Sequence, residues 1–458
     1  MAPVRSSKTG LPVIVKSEGH FLRLADGREV LDACGGAGVT SIGHGNPEVM
    51  SVMSVEASNV TYVPWAFFDN QSTIDLQDWL VQSTGGKLTK VYLQSSDAYA
   101  LQGSEAVEAA IKLAREYFVW TGHPQRISFI AREESYHGTT VGSLSVSGHR
   151  TRRANFEGML LPNVHRIPAC NPYRQKFHGE TDEDFVRRKA AELDEVFSRA
   201  GPDTIAALIA EPIVGAALGC VPAPPGYFKA MRAVCDRHGA LLILDEVMCG
   251  MGRTGTTHAW EQEGVVPDIQ CIGKGLAGGY QPCSAVLVGG RVVDAMARAG
   301  ATFTHGHTFQ NHAVVSAAAL AVQKVIERNG LLDNVRVQGQ HLKGLLVDRL
   351  GGHPHVGDVR GRGLFWGLEF VRDRETKAPF EPSLQVAKVV HEKAMRGGKG
   401  GGPMMVYYGQ GCAGGGKGDQ ILIMPAYNID SGLVAQIVQR LAVAVDAAFG
   451  EFAARGLI

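Results

Sequence analysis

Several features that would mark a specialised class of protein are missing from this sequence. Its 45 basic and 45 acidic side chains balance to a formal net charge of zero, so it carries no electrostatic footprint for nucleic acid or an anionic membrane. The eight cysteines form no C-x-x-C pair and no cysteine–histidine cluster with zinc spacing. No apolar run approaches the roughly 20 residues that a membrane span needs. We therefore expect no metal site and no nucleic-acid or membrane partner.

The first residues also lack a secretory signal, because Met1 to Gly10 contains no apolar segment of the kind a signal peptide needs. Cysteines such as Cys249, Cys271 and Cys283 lie in apolar or glycine-rich runs, as small core residues do in a reducing compartment. The expected location is the cytoplasm. The basic, serine-containing N-terminus leaves organellar import open.

What the sequence does contain is an acid and a lysine that each follow a short apolar run. The apolar run 241–244 is followed directly by Asp245. The run 269–272 is followed by Lys274, which lies between two glycines. In α/β proteins, ligands bind at the carboxyl ends of parallel strands. Pyridoxal 5′-phosphate (PLP) chemistry needs a buried lysine to form a Schiff base and a buried acid to keep the pyridine nitrogen protonated. A surface lysine in a turn and a capping aspartate would produce the same pattern, so the pair needs support from elsewhere.

Two further segments supply that support. Residues 92–115 change from a strand through a polar turn to a helix that begins near Ser104. Gly103 permits close backbone approach and Ser104 offers a hydroxyl at the positive end of the helix, which suits a phosphate. Tyr136 and His137 follow another strand, where an aromatic ring could stack on a planar heterocycle. Ordinary helix capping and plain packing are the alternative interpretations.

Four motifs in this order resemble the class III aminotransferases, a family of fold-type I PLP enzymes. They are Gly103-Ser-Glu-Ala, Ser135-Tyr-His-Gly, Leu244-Asp-Glu-Val and Gly273-Lys-Gly. Other segments similar to family landmarks are Ala210-Glu-Pro, Gly226-Tyr, Gly250-Met-Gly-Arg-Thr-Gly, Thr304-His-Gly-His-Thr-Phe-Gln and Arg360-Gly-Arg-Gly-Leu-Phe-Trp-Gly. The resemblance covers nearly the whole chain.

Strand–helix alternation between residues 60 and 330 predicts an α/β fold whose large, mostly parallel sheet is covered on both faces. The resemblance implies a large PLP-binding domain at 61–330 and a smaller α+β domain built from both chain ends, 1–60 and 331–458. The glycine-rich stretch 396–418 predicts a mobile or irregular loop pair, and the resemblance implies that it lies near the substrate entrance. Residues 97–102 interrupt the family's phosphate-binding turn, so either Ser95 or Ser96 still reaches the phosphate or that contact is lost.

The resemblance also implies roles for individual residues. Lys274 carries PLP as a Schiff base and then moves the substrate proton, while Asp245 pairs with the pyridine nitrogen. The implied phosphate contacts are Gly103, Ser104 and Thr308, and the implied ring contacts are Tyr136, His137 and Val247. Glu211 either supports the hydroxyl side of the cofactor, gates the site by pairing with a basic residue, or forms a structural salt bridge. In the family, the Thr308 position reaches across a dimer interface, which implies a homodimer with shared active sites.

The implied reaction is ping-pong transfer of an amino group from an amine or amino acid to a 2-oxo acid. Amino-acid epimerases or racemases, a decarboxylating relative and an aminomutase share the scaffold and stay as alternatives, as does a binding protein with a degenerate site. Trp65 and Phe68 are expected to line a large apolar pocket, with packing at an interface as the alternative. The position before Pro425 is aliphatic where α-amino-acid enzymes often carry arginine, so Lys417 or a mobile Arg253 is expected to bind the acceptor carboxylate. This pattern favours an ω-amino compound or a bulky amine as donor.

Overall fold

The computed structural model describes residues 10–95, 102–201, 203–398 and 401–458. Its strands, in chain order, are β1 (Ile14–Glu18), β2 (Phe21–Leu24), β3 (Glu29–Asp32), β4 (Leu88–Gln94), β5 (Ser128–Arg132), β6 (Val164–Ile167), β7 (Ile205–Ala210), β8 (Ile213–Val214), β9 (Val221–Pro222), β10 (Leu241–Asp245), β11 (Ile269–Ile272), β12 (Ser284–Gly289), β13 (Val356–Arg362), β14 (Phe365–Phe370), β15 (Met404–Met405), β16 (Tyr407–Gly414) and β17 (Lys417–Ile423). Its helices are α1 (Gly35–Gly38), α2 (Pro47–Asn59), α3 (Gln71–Ser83), α4 (Gln102–Trp120), α5 (Val141–Val146), α6 (Arg150–Arg153), α7 (Pro172–Gln175), α8 (Asp182–Ala200), α9 (Tyr227–Arg237), α10 (Trp260–Glu263), α11 (Gly290–Arg298), α12 (Ala313–Arg328), α13 (Leu331–Leu350), α14 (Val386–Arg396) and α15 (Ser431–Ala454). Three-residue 3-10 turns lie at Glu157–Met159, Lys274–Leu276 and Pro382–Leu384.

A seven-stranded sheet forms the centre of the larger part of the molecule, in the order β4-β12-β11-β10-β7-β5-β6. β10 lies parallel between β7 and β11, and β5 lies parallel between β6 and β7. β12 runs antiparallel to both of its neighbours, β11 and β4. The mostly parallel α/β sheet expected from the sequence is therefore confirmed, with β12 as the exception among the described strands.

Alternation along the strands divides the sheet into two buried faces. Leu241 and Ile243 of β10 belong to the apolar cluster that includes α4, whereas Leu242 and Leu244 pack with residues of α8 and α9. Because both faces are covered, the central strands are continuous apolar runs and not alternating apolar and polar ones. The apolar run of β10 therefore carries its one charged group, Asp245, at its end, where the covering layers stop.

Segments from the two ends of the chain pack together beside this sheet. β3 pairs in parallel with β15, with Leu31 opposite Met404. One apolar cluster combines Leu31 and Val49 with Leu441 and Val445 of α15. A second sheet, in the order β13-β14-β17-β16, belongs to the C-terminal part. The domain bounds at residues 60 and 330 stay a prediction.

The glycine-rich segment beyond residue 400 is a β-hairpin, which corrects the expectation of an irregular loop there. β16 and β17 pair antiparallel, with Tyr407 opposite Leu422 and Gly414 opposite Lys417. The turn residues Gly414, Gly415 and Gly416 have φ values of 82°, 62° and 81°. This left-handed region is accessible to glycine at no steric cost, so the glycines build the turn.

α15 is long and apolar enough to cross a membrane by length and composition, with a mean hydropathy of 1.4 in its most apolar window. The expectation that no apolar run reaches this size is therefore wrong for Ser431–Ala454. Half of that window is buried, and Ile437, Leu441 and Val445 belong to the apolar core of the C-terminal part. Because a buried core helix passes the same test, the finding is weak evidence for a membrane segment.

Candidate active site

Asp245 and Lys274 lie at the carboxyl ends of two neighbouring parallel strands. Asp245 is the last residue of β10 and stands opposite Cys271 of β11. Lys274 follows β11 after one further residue and opens a 3-10 turn, with its backbone at φ 42°. The apolar strands thus end in polar groups at the edge where such sheets bind ligands.

A cavity of about 530 Å³ opens at this edge. Eight of the residues singled out from the sequence line it, namely Gly103, Ser104, Tyr136, His137, Glu211, Asp245, Val247 and Lys274. The lining also includes Ala37, Val39, Gly138, Arg152, Ile213, Ala216, Met248, Cys249, Gly279, Tyr280, Gln281, Pro282 and Tyr407. The structure therefore brings together residues that are up to 171 positions apart, the interval from Gly103 to Lys274.

The carboxylate of Asp245 is buried and held from two sides. The Nδ1 atom of His137 lies 2.7 Å from one oxygen, and the backbone N–H of Val247 donates to the other at 3.0 Å. The His137 backbone N–H in turn donates to Ser147 Oγ at 2.8 Å. Within the described residues, Nε2 of His137 is buried with no hydrogen-bond partner. The arrangement fixes the direction of the carboxylate.

The ammonium group of Lys274 lies inside the cavity and donates a hydrogen bond to the carbonyl of Ala37 at 2.9 Å. Burial lowers the pKa of Lys274 to about 8, although Asp245 and Glu211 act in the opposite direction. Removing a cation from water disfavours its charged form, which is the physical cause of the shift. Lys274 is therefore closer to its nucleophilic, neutral state at physiological pH than an exposed lysine.

Two glycines allow close packing beside the start of α4. A Cβ atom on Gly103 would lie 2.6 Å from Cγ1 of Val247, and one on Gly138 would lie 2.5 Å from Oγ of Ser104. Oγ of Ser104 accepts the backbone N–H of Thr139 at 3.0 Å. The turn after β5 and the first turn of α4 therefore approach each other closely, and a helix start favours anions.

Glu211 acts on backbone groups in this structure. Its two carboxylate oxygens accept the N–H groups of Tyr136 and Gly215, each at 3.2 Å. Burial raises the pKa of the carboxyl. Among the described residues no cation lies within ion-pair distance of it, so neither a gate pair nor a structural salt bridge is formed here. Glu211 instead fixes the turn that carries the Tyr136 ring into the cavity.

Four other candidates lie outside this cavity. The indole of Trp65 donates to the carbonyl of His307 at 2.8 Å, and the hydroxyl of Tyr62 donates to the carbonyl of Thr308 at 3.3 Å. Phe68 is 64% exposed. Lys417 is exposed at the start of β17. The roles of Thr308, Trp65, Phe68 and Lys417 stay predictions, because one chain alone does not place them beside Lys274.

Arg253 does not fit the role of a mobile cation, and that expectation is wrong. Its side chain is buried, with the guanidinium donating to the carbonyls of Leu364 at 3.1 Å and Pro425 at 2.5 Å. The guanidinium also lies 4.6 Å from the ring centroid of Tyr427. A group fixed on carbonyls between the two parts of the molecule has no freedom to swing into the cavity.

The family's phosphate-binding turn can be followed only in part. Ser95 donates its hydroxyl to the carbonyl of Phe309. Ser96 and the insert up to residue 101 lie outside the described residues. The alternatives left open for a serine contact to a phosphate therefore stay open.

Sequence reasoning missed Arg152. Among the described residues that line this cavity, Arg152 and Lys274 are the only lysine or arginine side chains. The arginine lies in a short basic run, 149–153, which has the composition of a solvated surface. Tyr280, Tyr407 and Met248 were also missed, since each comes from a segment whose pattern indicates only packing. No local signal distinguishes such residues.

A partly buried lysine and a buried acid at the carboxyl edge of a mostly parallel sheet, beside a helix start, define an α/β enzyme built for PLP. The family model described as aminotransferase class III matches residues 3–445, and the chain belongs to that family. An aminotransferase from Gibberella zeae is 46% identical over 440 residues, covering 95% of this chain and 84% of the relative. A taurine–pyruvate aminotransferase from Bilophila wadsworthia is 36% identical over 382 residues, covering 82% and 81% of the two chains.

Solved structures give the same result. An (S)-enantioselective ω-transaminase from Thermomicrobium roseum aligns with a TM-score of 0.88 at 33% identity, covering 98% of this chain and 96% of that one. An amine transaminase from an uncultivated Pseudomonas species, solved in a PLP-bound form, aligns with a TM-score of 0.87 at 30% identity and covers 98% of both chains. These similarities favour transamination over the epimerase and decarboxylase alternatives.

Class III aminotransferases depend on PLP, and the residues of this cavity fit that cofactor. The unpartnered Nε2 of His137 and the fixed carboxylate of Asp245 suit an aromatic ring with a protonated nitrogen. The start of α4, where Gly103 and Ser104 line the cavity, suits a phosphate. A buried amine with a lowered pKa suits the aldehyde.

Proposed function

We propose that this aminotransferase moves the amino group of an ω-amino compound or a bulky amine to a 2-oxo acid, and that Lys274 and Asp245 carry the chemistry. The observation that supports the proposal most directly is the meeting of both side chains in one cavity at adjoining strand ends. The two halves of the reaction use the same side chains in turn, as a ping-pong route requires.

Lys274 has two tasks in this proposal. Its neutral amine would hold the cofactor, and the same amine would take the proton from the substrate Cα. Bound PLP supplies the electron sink that makes that proton acidic. A pKa of about 8 leaves a useful neutral fraction of Lys274 near neutral pH, whereas an exposed lysine would be almost fully protonated.

Asp245, oriented by His137, would stabilise the positive charge on the ring nitrogen of the cofactor while the substrate proton is removed. The carboxylate of Asp245 is aimed by the His137 Nδ1 atom and by the Val247 N–H, so it needs no reorganisation when a cationic ring nitrogen arrives. Preorganised charge of this kind is a large contribution to catalysis in sites that exclude water. Val247 packs beside Gly103 and limits where the ring can lie.

The preference for an ω-amino compound or a bulky amine rests on the lining of the cavity. Apolar side chains of Val39, Ile213 and Met248 line it, and the positions before Pro425 are Ile423 and Met424. Burial of an apolar donor body contributes about 25 cal/mol per Å² of surface removed from water. The similarity to ω-transaminases and to a taurine–pyruvate enzyme supports the same donor class and a 2-oxo acid acceptor.

We also propose a homodimer whose partner completes each active site. Phe67 is 80% exposed and Phe68 64%, in a segment that packs on the loop carrying Thr308. Exposed aromatic patches of this kind mark contact surfaces. A second copy of the chain seated there would bring Thr308 and Trp65 towards its neighbour's cavity.

A cytoplasmic location is proposed as well, because all eight cysteines are free and buried, as in proteins of reducing compartments. Imaging of a fluorescent fusion tests this directly. Accumulation inside an organelle would contradict it.

A donor and acceptor screen with purified, PLP-loaded protein tests the proposed function. We expect 1-phenylethylamine and taurine to give higher kcat/KM than alanine as donors, with pyruvate as the first acceptor to try. Formation of the ketone or aldehyde product and the optical spectrum of the cofactor are followed together. Clearly higher kcat/KM for small α-amino acids would refute the donor preference, and loss of amine without any acceptor would refute transamination.

A further inference from the structure

Four charged side chains line the active-site cavity, and three of them have protein partners. Asp245 is held by His137, Glu211 by backbone N–H groups, and Lys274 by the carbonyl of Ala37. The fourth is Arg152, whose guanidinium makes no hydrogen bond or ion pair with any residue that the structure describes. A cation at a binding cavity with no anion of its own is a candidate for contact with a ligand.

The position of Arg152 is defined by its surroundings. It lies on the short helix α6, whose backbone N–H groups donate to the carbonyl of His149. The neighbouring Arg153 anchors this helix by donating to the carbonyls of Leu144, Ser145 and Ser147 at 2.8–2.9 Å. The Arg152 guanidinium itself lies 4.7 Å from the ring centroid of Tyr136. The backbone is thus fixed, and the cation lies beside the ring predicted to contact the cofactor.

A 2-oxo acid acceptor brings a carboxylate into a cavity that already holds two carboxylates. Such a ligand needs a cation, because an unpaired buried charge is costly. The cations expected for this task, Lys417 and Arg253, lie outside the cavity lining, one exposed and the other fixed on backbone carbonyls.

We propose that Arg152 binds the carboxylate of the 2-oxo acid acceptor and thereby determines acceptor specificity; this rests on the proposed function. The planar guanidinium offers the two parallel donors that match a carboxylate. The Tyr136 ring holds the guanidinium in place while the cavity is without substrate, since a cation on an aromatic face is attracted to it.

Arg152 and Lys274 line the same cavity, as this role requires. The positive charge of Arg152 contributes to the lowered pKa of Lys274. At Tyr136 burial raises the pKa of the hydroxyl, and the charge of Arg152 acts in the opposite direction. In a 2-oxo acid the carboxylate is bonded directly to the carbonyl carbon that reacts. The cation that binds this carboxylate therefore has to lie in the same cavity as the reacting groups.

The test compares Arg152→Gln and Arg152→Lys with Arg150→Gln, a matched control. Arg150 lies on the same helix, is exposed and does not line this cavity, so its substitution removes the same charge outside the site. For Arg152→Gln we expect the KM of pyruvate to rise roughly 10- to 100-fold, since it loses a charge-assisted pair. The KM of the donor 1-phenylethylamine, and the rate with butanal as a carboxylate-free acceptor, should stay close to wild type. Arg152→Lys should recover part of the loss.

Two binding measurements separate the carboxylate of the acceptor from the phosphate of the cofactor. Isothermal titration of PLP-loaded protein with butanoate should show weaker binding in Arg152→Gln than in Arg150→Gln. Fluorescence titration of the cofactor-free protein with PLP should give the wild-type Kd in both variants. An unchanged pyruvate KM, an equal loss with butanal, or a PLP Kd that rises in step with the pyruvate KM would each overturn the proposal.

Failure of the proposed function has a different signature. If wild-type protein transfers no amino group to any 2-oxo acid, the function fails whatever the variants do. The butanoate titration still tests Arg152 in that case, and equal binding by the Gln variant and the wild type would reject it independently.

Discussion

Two regions of the molecule that we connect with the active site, the cofactor side and the outer side, are built in different ways. The cofactor side lies within one chain, where Asp245 and His137 are buried, Lys274 is partly buried, and hydrogen bonds connect all three to neighbouring groups. The outer side, formed by residues 61–68 and the loop around Thr308, exposes large aromatic rings. The difference teaches that the fold of a single chain fixes the chemical groups of the cavity, whereas the exposed aromatic surface has no such support and is the part that we propose a partner subunit covers.

Removal of the lysine should produce the largest effect on the cofactor side. Lys274→Ala is expected to lower turnover by roughly 10⁴-fold, because both the attachment point and the proton carrier are lost. Reduction of the PLP-loaded protein with borohydride, followed by mass spectrometry, should place the adduct on Lys274 in the wild type. The exposed Lys324→Ala is the control, and an adduct on another lysine would remove Lys274 from the proposal.

Removal of the carboxylate charge should have the next largest effect. Asp245→Asn is expected to cost roughly 10³-fold in kcat, since an amide cannot keep a ring nitrogen protonated. Thermal unfolding should change little, because asparagine can still accept the Val247 N–H. Near-normal turnover in this variant would show that Asp245 is not part of the mechanism. The control is Asp294→Asn, the same substitution at an exposed aspartate.

The pH dependence of cofactor capture probes the buried amine itself. Only the neutral amine attacks an aldehyde, so below a pKa of about 8 the rate at which cofactor-free protein captures PLP should fall about tenfold per pH unit. Above that pH it should level off, whereas a lysine with an ordinary pKa near 10.4 would keep gaining rate. Stopped-flow absorbance measures the profile. A midpoint near 10 would mean that burial does not tune Lys274.

The outer side should respond more weakly and only through the dimer. Thr308→Ala is expected to weaken PLP binding by about tenfold, the loss of one hydrogen bond to a charged group. Phe67→Glu should separate the dimer, because it places a charge on the exposed aromatic surface. Light scattering and PLP titration measure both effects, with the exposed Val337→Glu as control. A monomer that turns over substrate at full rate would contradict the proposed arrangement.

The cofactor side could be predicted from the sequence because its signals are local. Each functional group there follows a buried strand. In the apolar run 241–244, for example, the change from leucine to a carboxylate at Asp245 marks the end of the strand. The helix start at Ser104 and the glycine at 103 are equally local. Resemblance to a family then supplied the roles that spacing alone leaves open.

The rest depends on contacts distant in sequence. Arg253 could be taken for a mobile cation because its carbonyl partners, Leu364 and Pro425, are more than 100 positions away. Arg152 sits in a basic run that resembles a solvated surface, and only the fold turns it towards Tyr136. The β16–β17 hairpin has the glycine content of a loop, since pairing across strands is not visible in composition.

A hybrid dimer tests the central claim, that one chain holds the chemistry and its partner completes the site. Subunits carrying Lys274→Ala and Thr308→Glu are given different tags, expressed together and purified as the mixed dimer. If Thr308 serves the neighbouring cavity, the hybrid contains one intact site and should recover roughly half of wild-type turnover, although each parent dimer is inactive. If Thr308 serves its own cavity, the hybrid contains no intact site, and a hybrid as inactive as its parents would contradict the account. If Thr308 serves no cavity, the Thr308→Glu parent dimer stays active, and that result would contradict the account as well.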